Sequence, residues 1–212
     1  MRTQTWIKAI LLLVALPAVA AAQEIPCARG PCMRPDRPGT HFLAEVNGGG
    51  TLGGNLGLAV EGVVGVGGKF RGFPLRFYLV TEVAYASTSQ DGALAGPSLG
   101  FSEERSYRDL ALGLRTYVPI FGPVRLFLDL MGGGSHVAAT LERDNLYTLS
   151  ASDWFGMGQF AGGIQLRVLH HLSVGMRYKL VLTDDPLSNM RQVVGIPTPL
   201  RSSVTMGLTW HF

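Results

Sequence analysis

The stretch His170-His171-Leu172-Ser173 carries the residue types best suited to covalent chemistry. His171 and Ser173 stand in a His-x-Ser spacing, and Asp185 follows twelve residues after the serine. A histidine base can draw the proton from a serine hydroxyl while a carboxylate orients the imidazole, which makes the serine a nucleophile. Ser135-His136 repeats the first two residue types with no acid that has an arguable place beside them. The five histidines are otherwise dispersed, without a His-x-x-x-His or Glu-x-x-His spacing, so no metal site is expected. The glycine triplets at 48–50 and 132–134 lack the Lys-Ser/Thr of a phosphate loop. Glycines inside strands more often mark bends and close packing. No cofactor is predicted.

Cys27 and Cys32 are the only cysteines. Two thiols do not complete a zinc shell, and no histidine cluster lies beside them. In an exported chain such a pair predicts a disulfide, with two free thiols as the alternative.

Export is predicted by the first residues. Arg2 and Lys8 bracket a polar start, an apolar core follows in "AILLLVALPAVAAA", and Ala20-Ala21-Ala22 fits a small-residue cleavage site. Residues 1–22 therefore read as a signal peptide, with Gln23 as the first mature residue. A membrane anchor is the competing reading, but about 14 apolar residues are too few for a bilayer that needs ~20. Cys27 does not follow a lipobox-like tripeptide, which argues against lipid attachment there. Residues 23–40, "QEIPCARGPCMRPDRPGT", are rich in Pro and Arg and show no apolar period, so they read as a tail.

Composition sets further bounds. Charged residues make up 16% of the 212 residues, against the usual ~25%. The net charge is only +3 and the cations are scattered, which excludes the basic stripe of a nucleic-acid binder. The most apolar mature stretch, "NLGLAVEGVVGVGG", carries Glu61 and too many glycines for a membrane helix.

After residue 40 the dominant period is two, the strand period. Leu75, Phe77, Leu79, Val83 and Tyr85 share one face, with Arg76, Tyr78, Glu82 and Ala84 opposite. Leu110, Leu112, Leu114 and Val118 oppose Asp109, Ala111, Gly113, Arg115 and Tyr117; Val124, Leu126, Leu128 and Leu130 oppose Arg125, Phe127 and Asp129. Ile164, Leu166, Val168, Leu172, Val174, Met176, Tyr178 and Leu180 oppose Gln165, Arg167, Ser173, Arg177 and Lys179. Eight such segments are expected near 41–48, 56–70, 75–88, 105–119, 124–140, 153–168, 172–183 and 202–212. The short connections "RGFP", "IFGP" and "LHH" alternate with long polar or glycine-rich ones, so all short turns fall at one end of an up-and-down barrel. Pairing across "IFGP" sets Arg115 opposite Asp129 and Tyr117 opposite Phe127; the "RGFP" turn brings Glu61 near Glu82.

Either face of such a wall can be the wet one. A soluble carrier barrel turns its apolar face inward, and a membrane barrel turns it outward. Phe77, Tyr85, Tyr178, Trp210 and Phe212 stand towards strand ends, as interfacial girdles do. The chain ends "VTMGLTWHF", with Val204, Met206, Leu208, Trp210 and Phe212 at alternate positions. This end resembles the C-terminal strand of bacterial outer-membrane proteins, and the alternation of short turns and long loops resembles theirs too. The likeness covers residues 41–212 and is to the small eight-stranded group: the OmpA-type transmembrane domain and the OmpX- and OmpW-like proteins. The Pro/Arg-rich tail with its two cysteines departs from that group.

The resemblance implies an all-β fold, an eight-stranded antiparallel up-and-down transmembrane β-barrel. It implies location in the bacterial outer membrane with the N-terminal tail in the periplasm, contact with outer-membrane lipids and lipopolysaccharide, and insertion by the barrel-assembly machinery. Trp210 and Phe212 would be the assembly signal. A polar network is then expected to plug the lumen: Glu45, Glu61, Arg76, Glu82, Asp109, Arg115, Arg125, Asp129, Gln165, Arg167, Arg177 and Lys179. The expected function is structural, or surface interaction with an unknown partner through the external loops, without catalysis. A soluble secreted barrel carrying an apolar ligand is the alternative. A third reading, an outer-leaflet lipid enzyme of the lipid A deacylase type, meets a geometric obstacle. His171 lies at a short turn and Asp185 in a long loop at the opposite end.

Overall fold

The computed structural model describes residues 40–52, 57–69, 74–93, 100–143, 147–184, 186 and 201–212. The predicted signal peptide, the tail with Cys27 and Cys32, most of the "RGFP" turn and Asp185 lie outside the described residues. Eight strands follow one another: β1 (Thr40–Leu52), β2 (Gly57–Lys69), β3 (Arg76–Ala93), β4 (Gly100–Phe121), β5 (Val124–Arg143), β6 (Tyr147–Arg167), β7 (Leu172–Thr183) and β8 (Arg201–His211). Each runs antiparallel to the one before, and β8 pairs with β1, so the sheet closes into a barrel. Closure leaves the wall below the long-loop ends of β3 and β6 without an open edge.

The two-residue period decides which side chains enter. Arg115 and Arg177 are 0% and 1% exposed, whereas Val83, Leu130 and Met206 are 62%, 65% and 63% exposed. Charge is inside and hydrocarbon outside, the inverse of a soluble barrel. Two apolar clusters share the interior with the charged residues, the larger built on Leu43, Val63, Tyr78, Val80, Tyr117, Phe127 and Met131.

The outward face is banded. Val60, Tyr85, Arg108, His136 and Trp154 are successive register partners across β2 to β6. The His136 and Trp154 rings meet edge-on at 5.4 Å. Towards the long loops the next outward rows are Ser87, Ser106, Ala138 and Ser152, then Ser89, Glu104, Thr140 and Ser150. Towards the short turns the face is Val83, Leu110, Leu112, Leu79, Leu114, Leu130 and Phe160. It ends in Phe42, Phe121, Trp210 and Phe212, all exposed. From Leu110 to Ile120 the outward face of β4 spans ~33 Å of strand, or roughly 25 Å of height at the tilt usual for such barrels.

Two expectations are revised. Strands β3 to β6 run further towards the long loops than the periodicity predicts: β3 to Ala93 and β4 from Gly100, β5 to Arg143 and β6 from Tyr147. Above the Tyr85–Trp154 row the outward face is polar while Ala86, Tyr107, Val137 and Ala139 stay buried on the inner face, so the ladder continues after the outward apolar band has ended. Tyr178 lies in the middle of β7 and not near an end; it faces Gly162, whose missing side chain leaves room for the ring. Glu61 pairs with Ala84 and Glu82 with Val63, so the two acids are diagonal neighbours, near one another as expected.

The described short turns have local causes. Gly122 takes the left-handed φ of 50° between the register shift at Pro119/Phe121 and Pro123, a conformation that favours glycine. At the β6–β7 turn, Leu169 N–H donates to Leu172 O at 3.0 Å and Leu172 N–H returns to Leu169 O at 3.3 Å. The barrel seam ends on the last residue: Phe42 N–H donates to Phe212 O at 3.1 Å, and Phe212 N–H donates to Phe42 O at 2.9 Å.

Candidate functional site

The densest chemistry of the described residues is a charged cluster across the barrel interior. Inward parity brings Glu45 from β1, Glu61 from β2, Glu82 from β3, Arg115 from β4, Asp129 from β5, Gln165 from β6, and Arg177 and Lys179 from β7. All are buried. Arg115 pairs with Asp129 across the β4–β5 ladder, and Tyr117 with Phe127.

The Arg115 guanidinium is satisfied on two sides. Its Nε and Nη2 donate to the two Asp129 carboxylate oxygens at 2.7 and 2.8 Å. Its Nη1 donates across the barrel to Glu45 Oε2 at 2.5 Å. Its plane lies 4.6 Å from the Phe127 ring centroid. Glu45 also accepts from Asn47 Nδ2 at 2.7 Å, Thr209 Oγ1 at 2.9 Å and Gln165 Nε2 at 3.2 Å. Arg177 joins three carboxylates: Glu61 at 2.8 Å, Glu82 at 2.7 Å and Asp129 at 2.9 Å. Lys179 bridges Glu82 at 3.0 Å and Glu61, and Gln159 Nε2 donates to Glu82 at 2.9 Å.

Desolvating one ion costs several kcal/mol. The cost is offset only when each charge meets an opposite one and its remaining lone pairs and protons are used. That condition explains why the cluster is one connected body and not a set of isolated pairs. Breaking it at one residue would leave a buried partner short of an opposite charge.

The other expected lumen residues point inward but at different heights. Asp109 lies towards the long loops. It accepts from both Nη atoms of Arg201, at 3.0 Å for Nη1, and from Ser135 Oγ at 2.6 Å. The Arg201 guanidinium stacks 4.1 Å from the Tyr107 ring centroid. Arg105 and Glu103 pair at 2.6 Å beyond it. Arg76, Arg125 and Arg167 lie at the short-turn end, outside the central cluster.

Several members escape sequence reasoning. Asn47, Gln159, Thr205 and Thr209 are buried partners of the acids. All four lie on the polar parity of their strands, which is the available signal. Arg201 closes a polar and proline-rich stretch and reads from the sequence as part of the loop before β8. Ser135, which has no arguable partner in the sequence, donates to Asp109.

The serine–histidine reading finds no site among the described residues. Ser173 is 1% exposed and faces inward, while His171 is exposed at the turn with Nδ1 3.0 Å from His211 O. Asp185 lies outside the described residues. No group of three or more His, Cys, Asp and Glu with metal-holding geometry occurs among the described residues. The interior also gives an apolar ligand little to line it, because the charged cluster crosses it.

The fold is that of the small eight-stranded outer-membrane β-barrels. A major outer membrane protein from Thermus thermophilus superposes with a TM-score of 0.52 at 14% identity, over 82% of this chain and 100% of that one. Ail, the attachment invasion locus protein of Yersinia pestis, in complex with the heparin analogue sucrose octasulfate, matches with a TM-score of 0.49 at 9% identity, over 83% and 100%. Neisserial surface protein A matches with a TM-score of 0.43 at 14% identity, over 82% and 97%. No family model and no curated protein matches the chain.

Proposed function

We propose that this chain is a non-enzymatic outer-membrane barrel whose lumen is plugged by its own side chains, and that it acts structurally or through its outer end. The observation that carries the reading is the inversion of polarity. Leu79, Val83, Leu110, Leu112, Leu114 and Leu130 face outward while Glu45, Glu61, Glu82, Arg115, Asp129 and Arg177 are buried. An exposed apolar surface of that extent is stable only against hydrocarbon. The outward band supports contact with outer-membrane lipids and lipopolysaccharide. The long-loop end then faces the exterior and the short turns the periplasm.

The polar ends of β3 to β6 support a surface role. Among the described residues, Thr88–Ala93 pair only with β4 and Tyr147–Phe155 only with β5. These are strand edges above the apolar band, the kind of backbone that extended segments of partners can join. The alternating end of β8, with Trp210 and Phe212, supports recognition by the barrel-assembly machinery.

Two measurements test the reading. Single-tryptophan variants keeping Trp154 or Trp210, refolded into vesicles of brominated phospholipid, should both be quenched from shallow depth. A protein that stays in the aqueous fraction, unquenched, defeats the membrane assignment. Planar-bilayer recordings should show no stepwise conductance; steady ion conduction by the wild type defeats the plug.

A further inference from the structure

The short-turn mouth of the barrel gathers cations. Arg76 on β3, Arg125 on β5, Arg167 on β6 and His211 on β8 occupy inward positions on the last rungs. Arg76 is the register partner of Tyr117, whose ring meets the His211 ring edge-on at 6.1 Å. Arg125 pairs with Gln165, and the Arg167 N–H donates to Pro123 O at 3.0 Å, which brings β6 to the start of β5. Arg125, Arg167 and Arg76 act on the His211 ring as cations, against the single carboxylate of Glu45 one rung deeper. Among the described residues, the other inward side chains on these rungs include Leu43, Tyr78, Tyr117, Phe127, Gln165, Ser173 and Thr209; the acid beside them is Glu45, the register partner of Thr209, and Arg115 already holds it.

The second observation is the histidine itself. His211 is 7% exposed, and neither Nδ1 nor Nε2 has a hydrogen-bond partner. A buried polar group normally has a partner, and an exception asks for a reason. The arginines have interactions of their own; the ring between them is the group without one. A ligand able to satisfy it brings acceptors and negative charge, because three arginines surround the ring and the one carboxylate that acts on it, Glu45, is already held by Arg115. Guanidinium forks match tetrahedral oxyanions, whose several oxygens can serve donors arriving from different strands. Arg76 and Arg125 are only partly buried, which leaves the mouth open to a small solute.

We propose that the short-turn mouth is a binding site for a small oxyanion of the phosphate class, held by Arg76, Arg125 and Arg167 around the His211 imidazole. Binding stabilises the folded barrel, since the unfolded chain does not assemble the four side chains. That the site faces the periplasm rests on the membrane reading above; the binding does not. The anion is either free in solution or the phosphate of a phospholipid headgroup at the rim.

The test uses the full mature chain refolded in nonionic detergent, so it is independent of where the protein resides in cells. Histidine ring resonances are followed while inorganic phosphate replaces chloride at constant ionic strength. His211→Asn assigns the relevant signal. The expected result is a saturable shift of the His211 ring with a rise in unfolding temperature, both lost in Arg125→Gln/Arg167→Gln. Identical His211 shifts and unfolding temperatures in phosphate and chloride overturn the proposal, and the wild type alone decides this if the double variant does not refold. Phosphatidylglycerol nanodiscs without free phosphate distinguish the sources. A shifted ring there supports the headgroup, a shift only on adding phosphate supports the free anion, and no shift in either overturns the site.

Discussion

Arg115 and Asp129 face one another across the β4–β5 ladder and share two hydrogen bonds, Nε to Oδ1 at 2.7 Å and Nη2 to Oδ2 at 2.8 Å. The pair is not isolated. Asp129 also meets Arg177 at 2.9 Å, and Arg115 also meets Glu45. One carboxylate thus anchors a cation from its neighbouring strand and a second from β7.

Removing that carboxylate should therefore be worse than removing the pair. Asp129→Ala leaves Arg115 with Glu45 alone and Arg177 with one carboxylate fewer, and should cost about 3–5 kcal/mol. Arg115→Met/Asp129→Ala removes the under-paired cation as well, and Glu45 keeps its donors Asn47, Thr209 and Gln165, so the double change should cost less. Urea unfolding of both variants in phospholipid vesicles measures the difference. Equal losses would show that Arg115 is no burden once Asp129 is gone, against the stranded-charge account.

The second prediction concerns Gly163. It faces Phe127 across β5 and β6, and a Cβ built there falls 2.5 Å from the Phe127 ring and against the carbonyl oxygen of Met176. The backbone oxygen cannot yield cheaply. Gly163→Ala should lose roughly 1–3 kcal/mol through overpacking. Gly158→Ala, whose Cβ meets nothing within 4 Å, should be near neutral. Parallel unfolding curves for the two variants would refute the steric account.

The third prediction separates assembly from stability at the end of the chain. The Phe212 ring is 69% exposed, while its backbone exchanges two hydrogen bonds with Phe42. Phe212→Ala keeps those bonds and should refold from urea into detergent with only a modest loss, since one partly buried ring is worth at most a few kcal/mol. The same variant should assemble poorly in cells if the ring is part of a recognition signal. Heat-modifiable gel mobility, compared between membrane-derived and refolded protein, reads both. Normal assembly in cells would remove the recognition role.

Sequence makes the wall legible because each strand separates two solvents, so hydrocarbon and charge alternate residue by residue. The Arg115–Asp129 pairing is legible because "IFGP" is short enough to dictate register. Contacts across the barrel are not. That Arg115 reaches Glu45, or Arg177 reaches Glu61, depends on tilt and stagger of the closed sheet, which no local pattern encodes. Nor are the upper ends of β3 to β6, where Ser87, Ser89, Glu104 and Ser150 stand on the outward face and the apolar half of the alternation is lost there. Arg201 is hidden for a related reason: a single inward cation just after a proline-rich stretch has no periodic neighbours before it.

The ladder between β1 and β8 has a kinetic consequence. Leu43 meets His211 and Phe42 meets Phe212, so the first and last strands of the barrel meet only after the whole chain between them is in hand. The other ladders each join consecutive strands. The entropy of closing a loop rises with its length, so this contact of highest sequence separation is the most expensive to form early. An incomplete chain would hold a curled sheet with two bare edges and an apolar outer face. Folding speed should therefore be governed by the closing strand, and a nascent barrel is at its most aggregation-prone just before its final residues arrive.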